Sequence, residues 1–324
     1  MRKLTSLVAS AVTGLALLAS ANSGMAQDYP NQTVVWLAPS SAGSGFDVVA
    51  RLITPKLSDI LGQSVVVENV AGAGGTVGAA KVAEAPPDGY TILMININHT
   101  SAEALRKDLS YNLIDSFDPV IRFANSYYAL VVNPKVEAKT LGELLDMAKA
   151  EPGKLNYASA GVGSATFMHA EIFLAAAGVK MTHIPYEGGG PALASIVAGE
   201  TDFYGAPVAT AKPMIEEGKV RALAVSSAKP LPLLPDVPTA GETVPGFQFG
   251  SWYGLVVPKG TPAEVREKIR AAMAEALTDP DVKQRLGDLG LDLFDEGPEE
   301  FGKFLAAEVA TMKEVVKSAG IQPQ

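Results

Sequence analysis

A short apolar strand, a Ser/Gly turn with no adjacent Lys or Arg, and an amphipathic helix follow one another twice in this 324-residue chain. The first copy runs from a strand at 34–38 through Pro39, Ser40, Ser41, Ala42, Gly43, Ser44 and Gly45 into a helix over 46–61. The second runs from 155–158 through Ser159, Ala160, Gly161, Val162, Gly163 and Ser164 into a helix over about 165–177. A helix N-terminus leaves its first backbone N–H groups without intrahelical acceptors and carries positive partial charge, and glycine lets an anion approach that backbone. Two such ends, one in each half of the chain, form a clamp suited to a small carboxylate.

Residues 1–26 read as a secretory signal. Arg2 and Lys3 supply the positive start, 4–18 is apolar, and small residues lead to cleavage after Ala26, with Ala21 as an alternative site. The apolar stretch is too short for a retained membrane helix and no later run approaches bilayer-spanning length, so a soluble, exported, periplasmic chain is expected. Removing 26 residues from 324 leaves 298, room for two domains, and loss of Arg2 and Lys3 takes the net charge from −9 to −11. No basic cluster is interleaved with aromatics, which argues against nucleic acid as a partner. The absence of cysteine excludes disulfides, thiolate catalysis and Cys-based zinc sites, so the fold must rest on its own core.

Strand-like runs alternate with helical periodicity, the pattern of an α/β protein with mostly parallel sheets. Strands are expected at 34–38, 64–69, 91–97, 120–124, 128–132, 155–158, 182–185, 202–205, 220–226 and 252–257, and helices at 46–61, 76–83, 141–150, 166–177, 192–198, 263–277 and 299–319. Thr140 and Glu143 have capping-box spacing, Pro191 and Pro262 suit first-turn positions, and Thr278-Asp279-Pro280 stops one helix and starts another. Five prolines between Lys229 and Gly246 mark a surface connection, either between domains or within one.

Several segments together carry a family resemblance: Tyr29-Pro30, Gly43-Ser44-Gly45-Phe46-Asp47 through Arg51, Val66 through Asn69 followed by Ala71 to Gly75, Pro87 to Thr91, Pro152 to Ser159, Arg221 to Val225, and Leu234 to Thr239. In this order and spacing the chain resembles, over essentially its whole mature length, the periplasmic solute-binding proteins of tripartite tricarboxylate transporters, the Bug family. That resemblance implies a two-lobed, type II periplasmic-binding-protein fold that closes on a small organic carboxylate and presents it to integral membrane permease subunits. It also implies a carboxylate held by backbone N–H groups, Ser/Thr hydroxyls and waters of the two glycine turns. Phe46, Val162, Ala165, Phe167 and Ala206 stand where relatives are usually polar. They either face the ligand, favouring an acid with an apolar body, or, for Phe46 and Phe167, point into the core.

Rival motifs fail on spacing. In Gly72-Ala73-Gly74-Gly75-Thr76-Val77 a dinucleotide fingerprint would need glycine at Val77. A nucleophile elbow around Ser44 would need glycine at Ala42 and Phe46. His169 and His183 read as structural, whereas His99, at the end of a strand with Asn96, Asn98 and Thr100, is either ligand-facing or beside a helix cap made by Asn98 or Thr100. Asp47 and Arg51 form an i,i+4 pair, and no His/Asp/Glu spacing points to a metal.

The resulting expectation is a non-catalytic, monomeric carrier without cofactor, with lobe one at 27–125 plus 247–324 and lobe two at 126–246. Its expected ligand residues are Ser40, Ser41, Gly43, Ser44, Gly45, Phe46, Asn96, Asn98, His99, Ser159, Gly161, Gly163, Ser164, Thr166 and Ala206. A ligand-sensing subunit for a membrane kinase would use the same lobes; an exported α/β hydrolase lacks its nucleophile motif.

Overall fold

The computed structural model describes residues 29–318. The expected signal segment, 1–26, lies outside the described residues. Ten strands form one continuous sheet system in two halves joined by a single long strand. In the first half β1 (Val34–Ala38) pairs in parallel with β2 (Val65–Asn69) and β3 (Thr91–Ile95). The central strand β4 (Phe117–Val132) runs antiparallel to β9 (Gly250–Pro258), which also pairs with β3. In the second half β5 (Asn156–Ser159) lies parallel between β6 (Thr182–Pro185) and β7 (Phe203–Pro207). The far end of β4 is flanked by β7 and β8 (Arg221–Val225), both antiparallel. The structure is the two-lobed α/β architecture expected, but the sheets are mixed and not mostly parallel, because β4, β9 and β10 all pair antiparallel.

Local chemistry accounts for most helix boundaries. Helix α1 (Gly45–Leu61) begins where the Ser44 hydroxyl accepts the Asp47 N–H and ends at Gly62 with φ +67°. α2 is Thr76–Ala83, α4 is Leu141–Ala150 with the expected Thr140/Glu143 capping box, α5 is Ala165–Ala177 and α6 is Gly189–Ala198. α8 (Ala263–Ala276) starts behind Pro262, and α9 (Pro280–Asp288) starts where the Asp279 carboxylate accepts the Asp281 and Val282 N–H groups. α10 is Pro298–Ser318.

Four differences from the sequence expectation are informative. The strands expected at 120–124 and 128–132 are one strand, because the intervening residues keep pairing with β9 and with β10 (Leu291–Glu296), a strand the sequence reading omits. Ile97 opens helix α3 (Ile97–Leu105) instead of ending β3, since Asn96 supplies a cap. Helix α7 (Val208–Glu216) follows Pro207 directly. The proline-rich stretch is a connection as expected, interrupted by one short 3₁₀ turn at Ala240–Glu242.

Apolar side chains fill both faces of each half. Trp36, Phe46, Ile53 and Leu57 pack under α1, α8 and α9, while Leu37, Phe117, Trp252 and Phe301 pack under α2 and α10. In the second half Leu144, Phe173 and Phe203 form one layer and Ile196, Tyr204 and Ala206 the other. Each large apolar side chain removed from water in these layers contributes about 1.5–3 kcal/mol. The Phe173 layer also contains Ile97 and Ala104 of α3 and Met312 and Val316 of α10, so the halves share buried apolar contacts on one side.

Candidate ligand-binding cleft

A cavity of about 550 Å³ opens between the halves and is lined from both. Gly45 and Phe46 of α1, Asn96 and Asn98 of α3, Ala165 of α5, Gly189 of α6 and Pro207 to Thr210 of α7 all face it. Five helix N-termini therefore converge on one space, where the sequence pattern showed two. No charged side chain of the described residues lines it.

The N-terminal amides differ in how they are satisfied. On α1, α3 and α5 a cap side chain takes one amide each, Ser44 that of Asp47, Asn96 that of Asn98 and Ser164 that of Phe167, leaving others of the first turn without an intrahelical acceptor. On α6 and α7 the cap residues, Gly188 and Pro207, offer no side-chain hydrogen bond at all. Oriented N–H groups and the positive ends of helix dipoles favour an anion here without any Lys or Arg.

The hydroxyls of the two sequence motifs are mostly engaged in shaping the turns. Ser40 and Ser44 hydrogen bond to each other. Ser159 Oγ accepts the Gly161 N–H at 3.0 Å and hydrogen bonds His183 Nε2 at 2.6 Å, while Thr166 Oγ1 accepts the Ala160 N–H at 2.9 Å and lies 3.1 Å from Ser164 Oγ. Gly43, Gly161 and Gly163 take left-handed φ values of +79°, +103° and +80°, which L side chains rarely adopt. Gly45 is different: its backbone is helical, and what it provides is space, since a Cβ there would lie 3.1 Å from the Tyr253 hydroxyl.

The expected site residues divide into three groups. Gly43, Gly45, Phe46, Asn96 and Asn98 line the cavity; Gly163 and Ser164, with Asn98 again, line an adjoining space of about 630 Å³ beside Ala73, Gly74 and Arg106. Ser40, Ser41, Ser44, His99, Ser159, Gly161, Thr166 and Ala206 line neither. His99 is fully buried behind Phe46, with ring centroids 6.0 Å apart, and its Nδ1 accepts the Asn96 N–H at 3.2 Å. It is thus part of the cap, and the cap residue is Asn96, not Asn98 or Thr100. Burial holds its pKa down at about 4, so the ring stays neutral. Ala206 and Phe167 are buried in the second half's layers, whereas Val162 is 62% exposed at the rim of the adjoining space.

Asp47 is buried beside the cavity without lining it. The Gly43 N–H donates to its carboxylate at 2.9 Å and Arg51 Nε binds it at 2.9 Å. Its pKa is lowered, mainly by the Gly43 amide and further by Asn69 and Arg51. The i,i+4 pair expected from sequence thus braces the first turn.

Sequence reasoning missed Tyr253, Tyr128, Pro207 to Thr210 and Leu289 to Leu291, all on the cavity wall. Tyr253 comes from β9, and burial pushes its pKa up to about 12, so its hydroxyl keeps its proton. A proline just past a strand, Pro207 before Val208, was the available signal for α7. A larger space of about 690 Å³ beside the proline-rich segment shares Tyr127, Gly290 and Leu291 with the cavity, but it meets the C-terminal end of α9 at Gln284, Gly287 and Asp288. Both spaces touch that negative end, Leu289 being its cap, but no helix N-terminus of the described residues opens onto the larger one.

Two lobes joined by one long strand, β4, with a cleft ringed by helix N-termini, define a two-lobed solute-binding protein. The sequence profile of the tripartite tricarboxylate transporter family receptor matches residues 49–321, and the chain belongs to that family, whose members are periplasmic solute-binding proteins. A protein of Pseudomonas sp. strain P51 encoded in the tcbD–tcbE intergenic region is 34% identical over 94% of this chain and 92% of its own length. Among solved structures, Rpa4515 of R. palustris with adipate is 31% identical with a TM-score of 0.82, covering 92% of this chain and 100% of that one. MatC of Rhodopseudomonas palustris with bound malate is 35% identical with a TM-score of 0.77, covering 89% of this chain and 100% of that one.

Proposed function

We propose that this protein captures a small organic carboxylate in the 550 Å³ cleft and delivers it to the integral membrane permease subunits of a tripartite transporter, without catalysing a reaction on it. The observation that carries this reading is the convergence of five helix N-termini on a cavity lined by no charged side chain of the described residues. Relatives described with adipate and with malate support the carboxylate class. In this reading the signal is removed after Ala26, the mature protein acts as a monomer, and lobe one comprises 27–125 plus 247–324 with lobe two at 126–246. Ligand contacts available only when both lobes face the cavity drive closure. Gly43, Gly45, Phe46, Asn96 and Asn98 join Ala165, Gly189, Tyr253 and the 207–210 turn as ligand contacts, with Gly163 and Ser164 at the rim.

A thermal-shift screen over mono-, di- and tricarboxylates tests it, because a ligand bound only by the native state raises the melting temperature by mass action. Acids should raise it and their methyl esters should not. An ester that binds as tightly as its acid refutes anion capture. Co-purification of permease subunits with the tagged protein from membranes distinguishes delivery to a transporter from docking on a sensor kinase.

A further inference from the structure

Resting on the carboxylate reading above, we infer that the preferred ligand is an acid whose body is plain hydrocarbon, alkyl or aryl, and that Phe46, Tyr253, Val208, Leu289 and Leu291 select it. These five side chains come from α1, β9, α7, the turn after α9 and the start of β10, and all line the cavity. Phe46 and Tyr253 meet edge to face with ring centroids 5.6 Å apart, giving one rigid aromatic wall. Leu289 and Leu291 are half-buried around Gly290, where a Cβ would come within 3.5 Å of Val208, so this wall and the start of α7 approach closely across the cleft.

The amides that hold a carboxylate are confined to helix ends; beyond them Phe46, Val48, Val49, Val208, Leu289 and Leu291 supply the apolar wall, with the hydroxyls of Ser126, Ser251 and three tyrosines gathered along β4 and β9. At about 30 Å³ per water, 550 Å³ equals about eighteen water-sized groups, far more than a carboxylate occupies. An α-ammonium would find no carboxylate of the described residues on the cavity wall, and Asp47, the acid on the first turn of α1, is already bonded to Arg51 and the Gly43 amide. Two polar side chains near the anion end are likewise occupied: Asn96 Oδ1 accepts the Asn98 N–H, and Thr210 Oγ1 donates to the Pro207 carbonyl, whereas Asn98 Oδ1 is buried without a partner. A ligand hydroxyl placed against the Phe46 ring or Leu289 would be stripped of water without a partner, a cost that reads as roughly tenfold or more in affinity.

Calorimetry on the mature protein with matched acids decides the point. Hexanoate is compared with norleucine, phenylacetate with 4-hydroxyphenylacetate, and adipate with 2-aminoadipate, each alongside the methyl ester of the first acid. The expected result is that the hydrocarbon acid binds at least tenfold tighter in every pair that binds and the esters do not bind. Leu289→Gln, at a half-buried position, should narrow the phenylacetate pair several-fold while leaving the esters excluded. Equal or tighter binding of the hydroxylated or aminated acids overturns the hydrocarbon selectivity and leaves carboxylate capture standing. Binding of the esters, or of no acid, overturns carboxylate capture and the inference with it.

Discussion

The test that separates an amide-based anion site from a merely apolar pocket is an acid placed where a helix would welcome it. Ala209 is the second residue of α7, exposed and on the cavity wall, and the cap residue Pro207 gives this helix no side-chain hydrogen bond. Ala209→Asp should stabilise the helix, since a carboxylate in an uncapped first turn contributes about 0.3–1 kcal/mol. For a protein of this size that is a rise in Tm of up to about 2 °C. The same charge opposes the ligand. Two negative charges about 6 Å apart at an effective dielectric of about 20 repel by about 2.8 kcal/mol, about a hundredfold in Kd. Stability and affinity must therefore move in opposite directions. Calorimetric titration of the best-binding acid, with ligand-free Tm measured in parallel, reads both. Ala209→Asn, neutral and of the same shape, should stay within about threefold of the parent. Raising the salt concentration should shrink the loss, because part of the repulsion is screened. Unchanged affinity in a folded Ala209→Asp protein would remove α7 from the anion site and with it the convergence argument.

Other outcomes follow from the same geometry. A Cβ at Gly205 would overlap the buried His169 ring, whose Cε1 is 2.6 Å away and which is stacked on Tyr128, so Gly205→Ala should cost about 1–3 kcal/mol in denaturant unfolding; combining it with His169→Ala should cost less than the sum. Burial holds His99 near pKa 4 and His169 near 3, and the unfolded chain takes up those protons from about pH 6.5 downward. Stability is therefore complete above that pH and should fall as pH drops toward 4 and then 3; urea midpoints that stay flat from pH 7 to 4.5 would contradict it. Gly161→Val forces a β-branched residue onto φ +103° with its Cβ 3.4 Å from the Tyr186 carbonyl, which displaces the turn that sets Gly163 and Ser164 at the rim; it should weaken acid binding at least tenfold with far-UV circular dichroism unchanged, and parent-like affinity would take the second turn out of ligand binding.

Much of this architecture was legible because period and punctuation agreed. β1, β6, α2 and α4 fall where the pattern put them, and the Thr140/Glu143 box marks its helix in both sequence and structure. What escaped was decided by tertiary pairing. Residues 125–127 look like a break, yet β9 and β10 on either side keep them extended. The cleft was half legible. Glycine turns announced α1 and α5 and Pro191 marked the first turn of α6, but α7 was missed although Pro207 precedes it, the capless amides of α6 and α7 carry no side-chain hydrogen bond, and Tyr253 reaches the cavity from a strand more than 200 residues beyond Phe46. The serines that drew notice mostly bind their own turns, because a hydroxyl beside free amides is satisfied locally before any ligand arrives.

The position of β9 also bears on how the chain is made. This strand lies between β3 and β4, so the first lobe's sheet stays divided until residues near 258 have left the ribosome, and α8 to α10, which cover it, come later still. Most of the polypeptide thus exists before its longest-range pairings can form, and contacts of such separation are slow to close. The first lobe of a nascent chain of this topology therefore stays without its complete sheet through most of its synthesis, while the second half already has its strands.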